Sequence, residues 1–550
     1  MNLMLLMLIV VPLAGAGVGA FVPAGAAKKW GLVVSLITAA AGVLLATSFD
    51  FHQDLSGVDP SQQVARSVQI EFPTPGGGSV SQFGVADLGF RFHLGVDAIS
   101  LWLVLLTVLL MPCALLASFE SIKERQKEYY AWMLVLLASM IGVFLARDLL
   151  LFYVFFELTL VPMFFIIGIW GGPERRYAAG KFFLFTFGGS VFTLAAVIYL
   201  GLKAGTFDLI AMTKFAQGSL SDVERWWILL GLLAGLAVKV PLFPVHTWLP
   251  LAHTEAPTAG SVILAGVLLK LGTYGLLRLV VPIGLIADVG VVHTGFISFL
   301  GSLCIIGIIY GALVAWVQKD IKKLVAYSSV SHLGFCVLGL AALNLEGMQG
   351  SVLYMINHGL STGAMFLVIG MIYDRFHTRD IDQLSGLAKK MPRLAFFFVF
   401  FVLSSIGLPG LNGFVSEFLT ILGAFTSSYL GMGFGAPAAL GVILGALYML
   451  HMTARVMFGP LKFPGGDDHG NAHGHGHADE AGSDINAREI GLLIPLAVAA
   501  IVLGIGPTLI TRTTNDPLRL IVTPQANVRQ ADAVQTEQVA PQIEAPTKES

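Results

Sequence analysis

The sequence predicts an all-α polytopic membrane protein of about 14 transmembrane helices, with two inverted five-helix repeats that each contain a broken helix. Three observations predict it: the composition, a series of apolar runs of spanning length, and basic residues gathered in alternate connections. The 550 residues are 56% hydrophobic and 12% charged, against about 45–50% and 25% in soluble domains. The net charge of −2 supplies neither a basic field for nucleic acid nor an acidic excess for a cationic partner. Cys113, Cys304 and Cys336 lie in apolar runs without a C-x-x-C spacing, so no disulfide framework, iron–sulfur or zinc site is expected and the thiols read as small packing groups.

A hydrocarbon core of ~30 Å takes about 20 helical residues. Runs of that kind occupy 3–22, 30–48, 97–118, 129–146, 149–170, 180–201, 226–247, 259–281, 294–316, 324–343, 352–373, 394–422, 435–457 and 489–510. Open sheets leave backbone groups unpaired in lipid, and these runs are too long for barrel strands, so they are read as helices. No positive charge precedes the first run, and Lys28 and Lys29 follow it. It is therefore read as a retained span that starts on the non-cytoplasmic side rather than as a signal peptide.

With that start, the inner connections hold Lys28, Lys29, Lys123, Arg125, Lys127, Arg175, Arg176, Lys319, Lys322, Lys323, Arg375, Arg379, Lys389, Lys390, Arg393, Lys462 and Arg488. The short outer connections hold only Arg147, Lys203, Lys214 and Arg225, and the long 49–96 connection adds Arg66 and Arg91. That asymmetry is the positive-inside pattern, and it places both termini on the non-cytoplasmic side. Residues 1–128 then form spans one to three with the outer loop 49–96, 129–281 and 294–457 the two repeats, and 489–510 the last span. Residues 511–550 read as a polar, mostly disordered outer tail. The inner loop 458–488 carries His469, His473, His475 and His477 between glycines. Such histidines bind zinc or nickel when geometry holds them; glycine interleaving points instead to a solvated spacer, so no metal site is assigned.

Four ionisable residues stand well inside spans: Glu157, Lys239, Lys270 and Glu417. Each costs at least ~2.5–3.5 kcal/mol at mid-membrane and so demands a partner, water or a job. A structural Glu157–Lys239 ion pair and a snorkelling Lys270 are the bland readings, and four such groups in one chain weigh against them. Burial and opposite charge push a lysine's or a carboxylate's proton affinity in opposite directions, so a Glu–Lys pair of variable separation loads and releases a proton. Arginine does not deprotonate and could not serve.

In "GLAVKVPLFPVHTWLP" (235–250), Pro241 and Pro244 remove backbone donors and crowd the preceding turn, so the helix should break just beyond Lys239. Freed backbone groups at that depth are tolerated beside protein or water. Span twelve repeats the device, with Gly407, Pro409, Gly410 and Gly413 ahead of Glu417. Interrupted spans in comparable places mark transporters built from repeats, and five spans per unit, an odd number, inverts the second unit. Any one of His246, His253, His332, His358 and His451 is more often a packing residue than a relay, but as a set they could bridge the lysines; His332 and His358, with Ser328, Ser329, Ser331 and Ser361 nearby, are the better candidate relays, and His246 could be structural. No P-loop, dinucleotide fingerprint or haem motif is present, so energy should reach the chain from other subunits.

The stretches "RDLLLFYVFFELTLVPMFFIIGIWGG", "LAVKVPLFPVHTWLPLAHTEAPTAGSVILAGVLLKLGTYGLLR" and "QKDIKKLVAYSSVSHLGF" closely resemble the antiporter-like subunits of NADH-quinone oxidoreductase, respiratory complex I. The resemblance covers roughly residues 100–460. It implies fourteen helices, two inverted five-helix units and proton translocation. It also implies that Glu157, Lys239 and Lys270 stand at the family's buried glutamate, broken-helix lysine and central lysine. Sister subunits L and N and the multisubunit sodium/proton antiporters usually place lysine where this chain has Glu417, which makes it most similar to the subunit M branch. The long lateral helix of subunit L is absent, and the His-rich loop and polar tail depart from the family core. The resemblance implies a bacterial plasma (inner) membrane location, subunits L and N and lipid as partners, and no nucleic acid. FMN and iron–sulfur clusters are expected in partner subunits, with neither cofactor nor quinone site in this chain. The rivals are a subunit of a sodium/proton antiporter or membrane-bound hydrogenase, and a structural scaffold whose buried charges only fix helix packing.

Overall fold

The computed structural model describes residues 2–51, 92–285, 290–464 and 483–522. Among these the chain is all-helical, and its only β pairings are four isolated bridges. In chain order the helices of eight or more residues are α1 Asn2–Gly19, α2 Ala24–Ser48, α3 Ala98–Ser121, α4 Gln126–Leu145, α5 Leu149–Leu158, α6 Leu160–Trp170, α7 Arg175–Ala204, α8 Leu209–Ser219, α9 Asp222–Lys239 and α10 Trp248–Glu255. Then come α11 Thr258–Leu285, α12 Gly290–Trp316, α13 Ile321–Ala341, α14 Leu345–Phe376, α15 Pro392–Ser405, α16 Asn412–Thr426, α17 Met432–Met457, α18 Ala487–Ile505 and α19 Thr508–Val522. Eleven helices are long and apolar enough to cross a membrane, α5 and α6 counting together as one.

The centre of the bundle is α11, α13 and α14, whose apolar windows are 94%, 94% and 100% buried, while α7 and α17 are each 33% buried at the periphery. A helix that is apolar on every side belongs in a core or in lipid. Burial by other helices is what separates the first group from the second.

Four aspartates start helices in the same way. Asp148 and Asp208 form one bridge, and Asp320 and Asp380 another; each carboxylate also accepts a backbone amide of the turn it begins. Carboxylates in that position satisfy orphan donors and complement the helix dipole. The backbone exchange matches as well: Leu149 N donates to Phe207 O and Leu209 N to Arg147 O, as Ile321 N donates to Arg379 O and Ile381 N to Lys319 O. Asp320 follows Asp148 by 172 residues, and Asp380 follows Asp208 by the same 172.

The structure adds to and corrects the sequence reading at several places. The short amphipathic helix α8 was not anticipated. The stretch 511–522, assigned to a disordered tail, is helical as part of α19: Ile510, Thr514 and Leu518 turn inward, while Thr513 accepts a hydrogen bond from Trp102 and Asn515 one from Gln349. Lys322 and Arg225, counted among loop charges, are buried in α13 and α9, where they donate to the carbonyls of Ala256 and Ala216. The four loop histidines, most of the 49–96 connection and the tail beyond 522 lie outside the described residues.

Candidate functional site

Helix α9 stops at Lys239 for a traceable reason. Pro241 cannot donate to the carbonyl of Ala237, so Leu242 N supplies that bond from one residue further on, at 2.9 Å. The next freed carbonyl, Val238 O, is taken by the indole of Trp248, also at 2.9 Å. Residues 240–247, including Pro244, form a run of turns before α10. Lys239 is therefore the last helical residue, and it is 3% exposed. Its ammonium donates to Thr159 Oγ1 at 3.0 Å and sits 4.6 Å from the centre of the Phe156 ring. Thr159 is the interruption between α5 and α6, three residues before Pro162, whose missing N–H leaves the helix open there. Glu157, two residues before Thr159, is half-buried, and no ion pair within 4 Å joins it to Lys239.

The second break is built from α15 and α16. Leu408 N reaches back to Leu403 O at 3.1 Å, Pro409 follows, and Gly407 and Gly410 take φ of 72° and 93°, which side chains with a Cβ rarely adopt. The reversal is tied down by a buried polar cluster: Ser361 and Ser404 share a hydrogen bond at 2.8 Å, and Asn412 Nδ2 donates to Asn357 O at 3.2 Å. Glu417 follows one turn later on α16, 7% exposed.

Between the breaks lies Lys270, fully buried on α11. Its helix carries a π turn at Leu264–Leu268, a deviation often found at functional sites, and the Lys270 ammonium donates to Ala265 O of that turn. The same ammonium lies 2.7 Å from His358 Nδ1 on α14. The contact depends on a close helix crossing: a Cβ on Gly359 would stand 2.7 Å from Gly266 O, so only glycine lets the two backbones approach so near.

From His358 the line of titratable groups continues. The ring of His332 on α13 is centred 5.7 Å from that of His358. His332 Nδ1 lies 2.6 Å from Tyr354 Oη, and Tyr354 donates to Glu417 Oε1 at 3.0 Å. His332 Nδ1 and Glu417 Oε1 are themselves 3.7 Å apart. Tyr448 approaches the other ring nitrogen of His332 at 3.5 Å.

The structure thus brings Lys270, His358, His332 and Glu417 into one line. It sets Lys239 and Glu157 in a separate group at the first break, whose hydrogen bonds share no partner with those of Lys270. His246 sits inside that first break among Phe243 and Tyr310, with neither ring nitrogen hydrogen-bonded among the described residues. His253 stacks face to face on Phe366, 4.5 Å between centres, and His451 is exposed. Sequence reasoning missed Tyr354, Tyr448 and Thr159. Tyr354 had a usable signal, since it precedes His358 by four residues and therefore shares its helical face.

Comparison with known proteins agrees with this architecture. The family described as NADH:quinone oxidoreductase/Mrp antiporter, transmembrane, matches residues 146–444, and the amino terminus of NADH-ubiquinone oxidoreductase chain 4 matches residues 84–145. Subunit M of NADH-quinone oxidoreductase from Rhodobacter capsulatus is 45% identical over 436 residues, covering 77% of this chain and 80% of that one. Chain 4 of NADH-ubiquinone oxidoreductase from Marchantia polymorpha is 43% identical over 428 residues, 76% and 80% of the two chains. A chain of respiratory complex I from Thermus thermophilus superposes with a TM-score of 0.77 at 28% identity, over 94% of this chain and 99% of that one. A chain of the Mrp complex from Dietzia sp. DQ12-45-1b reaches the same TM-score at 21% identity, over 96% and 99%, a likeness of fold alone.

Proposed function

The chain belongs to the NADH:quinone oxidoreductase/Mrp antiporter transmembrane family, and from that membership we propose that it is the proton-translocating membrane subunit of an NADH-quinone oxidoreductase, the counterpart of the relatives named subunit M. The observation that carries this reading is the buried line from Lys270 through His358 and His332 to Glu417, with Lys270 Nζ 2.7 Å from His358 Nδ1. Buried ionisable groups in a membrane protein are costly and cluster on ion pathways. A lysine beside an imidazole holds or hands over a proton, whereas an arginine there would only hold charge.

In this reading Lys239 loads the proton and Glu157 biases its charge; Lys270 receives it, and Glu417 releases it on the non-cytoplasmic side. His246, in the first break, is a subsidiary relay. The driving energy comes from redox chemistry on FMN and iron–sulfur clusters in partner subunits, and this chain carries no redox centre of its own. Its membrane neighbours are the antiporter-like subunits L and N, within a bacterial inner membrane.

We further propose fourteen spans, adding α1, the interrupted α9–α10 and the interrupted α15–α16 to the eleven long helices. Residues 129–281 and 294–457 are then inverted repeats, followed by the last span and helix α19. The two aspartate bridges separated by the same 172 residues support this. Three crossings lie between Asp208 and Asp320, which puts the bridges on opposite faces.

The test is Lys239→Ala and Glu157→Ala in the assembled complex: NADH-driven quinone reduction and proton pumping should fall together. Normal pumping in both variants would defeat the reading, and loss of assembly without loss of coupling per complex would favour a scaffold.

A further inference from the structure

We propose that Tyr354 carries the proton between His332 and Glu417, as a hydroxyl that points at one of them at a time. The inference rests on the proton-translocating reading above and adds to it the step by which a proton reaches the terminal carboxylate.

The geometry leaves that step to Tyr354. His332 Nδ1 and Glu417 Oε1 stand 3.7 Å apart, beyond hydrogen-bond length, while Tyr354 Oη lies 2.6 Å from the first and 3.0 Å from the second. Among the described residues no other hydrogen bond to the Glu417 carboxylate is formed. The tyrosine ring is 3% exposed and stacks on Phe335 with planes 7° apart. The ring is therefore held, and the freedom that remains is rotation of the O–H about its bond to the ring.

A phenol has one proton to donate, so the bridge has two arrangements. In the first, His332 is an imidazolium donating from Nδ1 to Tyr354, and Tyr354 donates to the Glu417 carboxylate. Transfer breaks the Nδ1–H bond and forms an O–H bond at Tyr354, while the original tyrosine proton passes to Glu417 Oε1. The products are neutral imidazole, neutral tyrosine and carboxylic acid, with one proton moved and charge balanced. In the second, Glu417 has released its proton onward. The tyrosine hydroxyl, which after transfer points at His332 Nδ1, must swing back toward Glu417 before the next proton can pass. Return of a proton from Glu417 would need the bridge in the opposite polarity, so the hydroxyl orientation records which side was served last.

The experiment uses the complete NADH-quinone oxidoreductase in proteoliposomes, comparing Tyr354→Phe, Glu417→Gln and the double variant in light and heavy water. Tyr354→Phe keeps the ring and its stacking. It should slow proton translocation per assembled complex by roughly two- to tenfold, the worth of one hydrogen bond, and change the solvent isotope effect. The double variant should be no slower than the slower single variant, because both residues serve one step. Tyr354→Phe with normal rate and isotope effect beside an impaired Glu417→Gln would overturn the role of Tyr354 and leave the broader reading standing. Less assembled complex with a normal rate per complex, or a double variant slowed by the product of the two single effects, would also overturn it. Normal pumping in both single variants would bring down the tyrosine step, and with Lys239→Ala also normal it would bring down proton carriage by this chain.

Discussion

The two helix breaks use the same backbone device and surround it differently. At the first, the Lys239 ammonium has one hydroxyl, Thr159, one aromatic face, Phe156, and a half-buried Glu157 at a distance. At the second, the Glu417 carboxylate is bonded to Tyr354, which is bonded to His332, which Tyr448 also approaches. The difference teaches where the molecule is brittle. Among the described residues each charge has one side-chain hydrogen bond, but behind Tyr354 stand His332 and Tyr448, whereas Thr159 bonds back to Phe156 O of its own helix, so the first region has fewer groups to take up a lost partner.

The largest effect should therefore come from the sparse region. Glu157→Gln leaves the Lys239 ammonium without its counter-charge, and Lys239→Ala removes the charge itself. Each should lower proton pumping by roughly tenfold or more, the factor that about 1.4 kcal/mol gives. The double variant Glu157→Gln/Lys239→Ala should lose less than the sum of the two in free energy, because no uncompensated charge remains; strict additivity would mean that the two groups act independently. A larger loss for Glu417→Gln than for Glu157→Gln would reverse the comparison.

Next is Gly407→Ala, which sharpens the second region. The residue has φ of 72°, and an added Cβ would lie 2.4 Å from Glu417 Oε2. Strain and displacement of the carboxylate together should cost about 1–3 kcal/mol, read as a lower unfolding midpoint of the detergent-solubilised complex with weakened pumping. A neutral outcome would show that the carboxylate is not held where the glycine leaves room.

Asn412→Ala should cost a similar or smaller amount, about 1–3 kcal/mol, since it leaves buried partners on Ser361, Ser404 and Asn357 unsatisfied. The measure is again stability, and retention of the full midpoint would mean that the α15–α16 reversal does not depend on this cluster. The smallest effect belongs to Thr159→Val, which preserves shape and removes the hydroxyl beneath Lys239. A change of about 0.5–1.5 kcal/mol, seen as a modest fall in pumping, is expected; none at all would show that the Phe156 face suffices.

Much of this was legible in the residues. Apolar runs gave the eleven long helices because lipid admits a narrow range of segment lengths. Proline gave the positions of the breaks because a missing N–H acts within its own turn. Lys270, His332, His358 and Glu417 were visible as unusual residues in apolar surroundings. Tyr354 and Tyr448 were not, because a tyrosine in a membrane helix is common and only its neighbours give it work. Thr159 was hidden for the same reason: its partner lies 80 residues away. Helix α19 was missed because its apolar face is narrow and its sequence polar, so its folding depends on docking against α3 and α14 through Thr513 and Asn515.

By itself the sequence determined a many-spanning helical membrane protein, with two interrupted helices and buried charges close to each interruption, since hydropathy and proline act through the nearest residues. The tertiary structure alone decided which of those charges stand within hydrogen-bond reach of another titratable group. Lys270 and His358 are 88 residues apart, and they meet because Gly266 and Gly359 let two helices cross closely. Hydrogen-bond distance is set by how helices pack, and no local property of either segment specifies it.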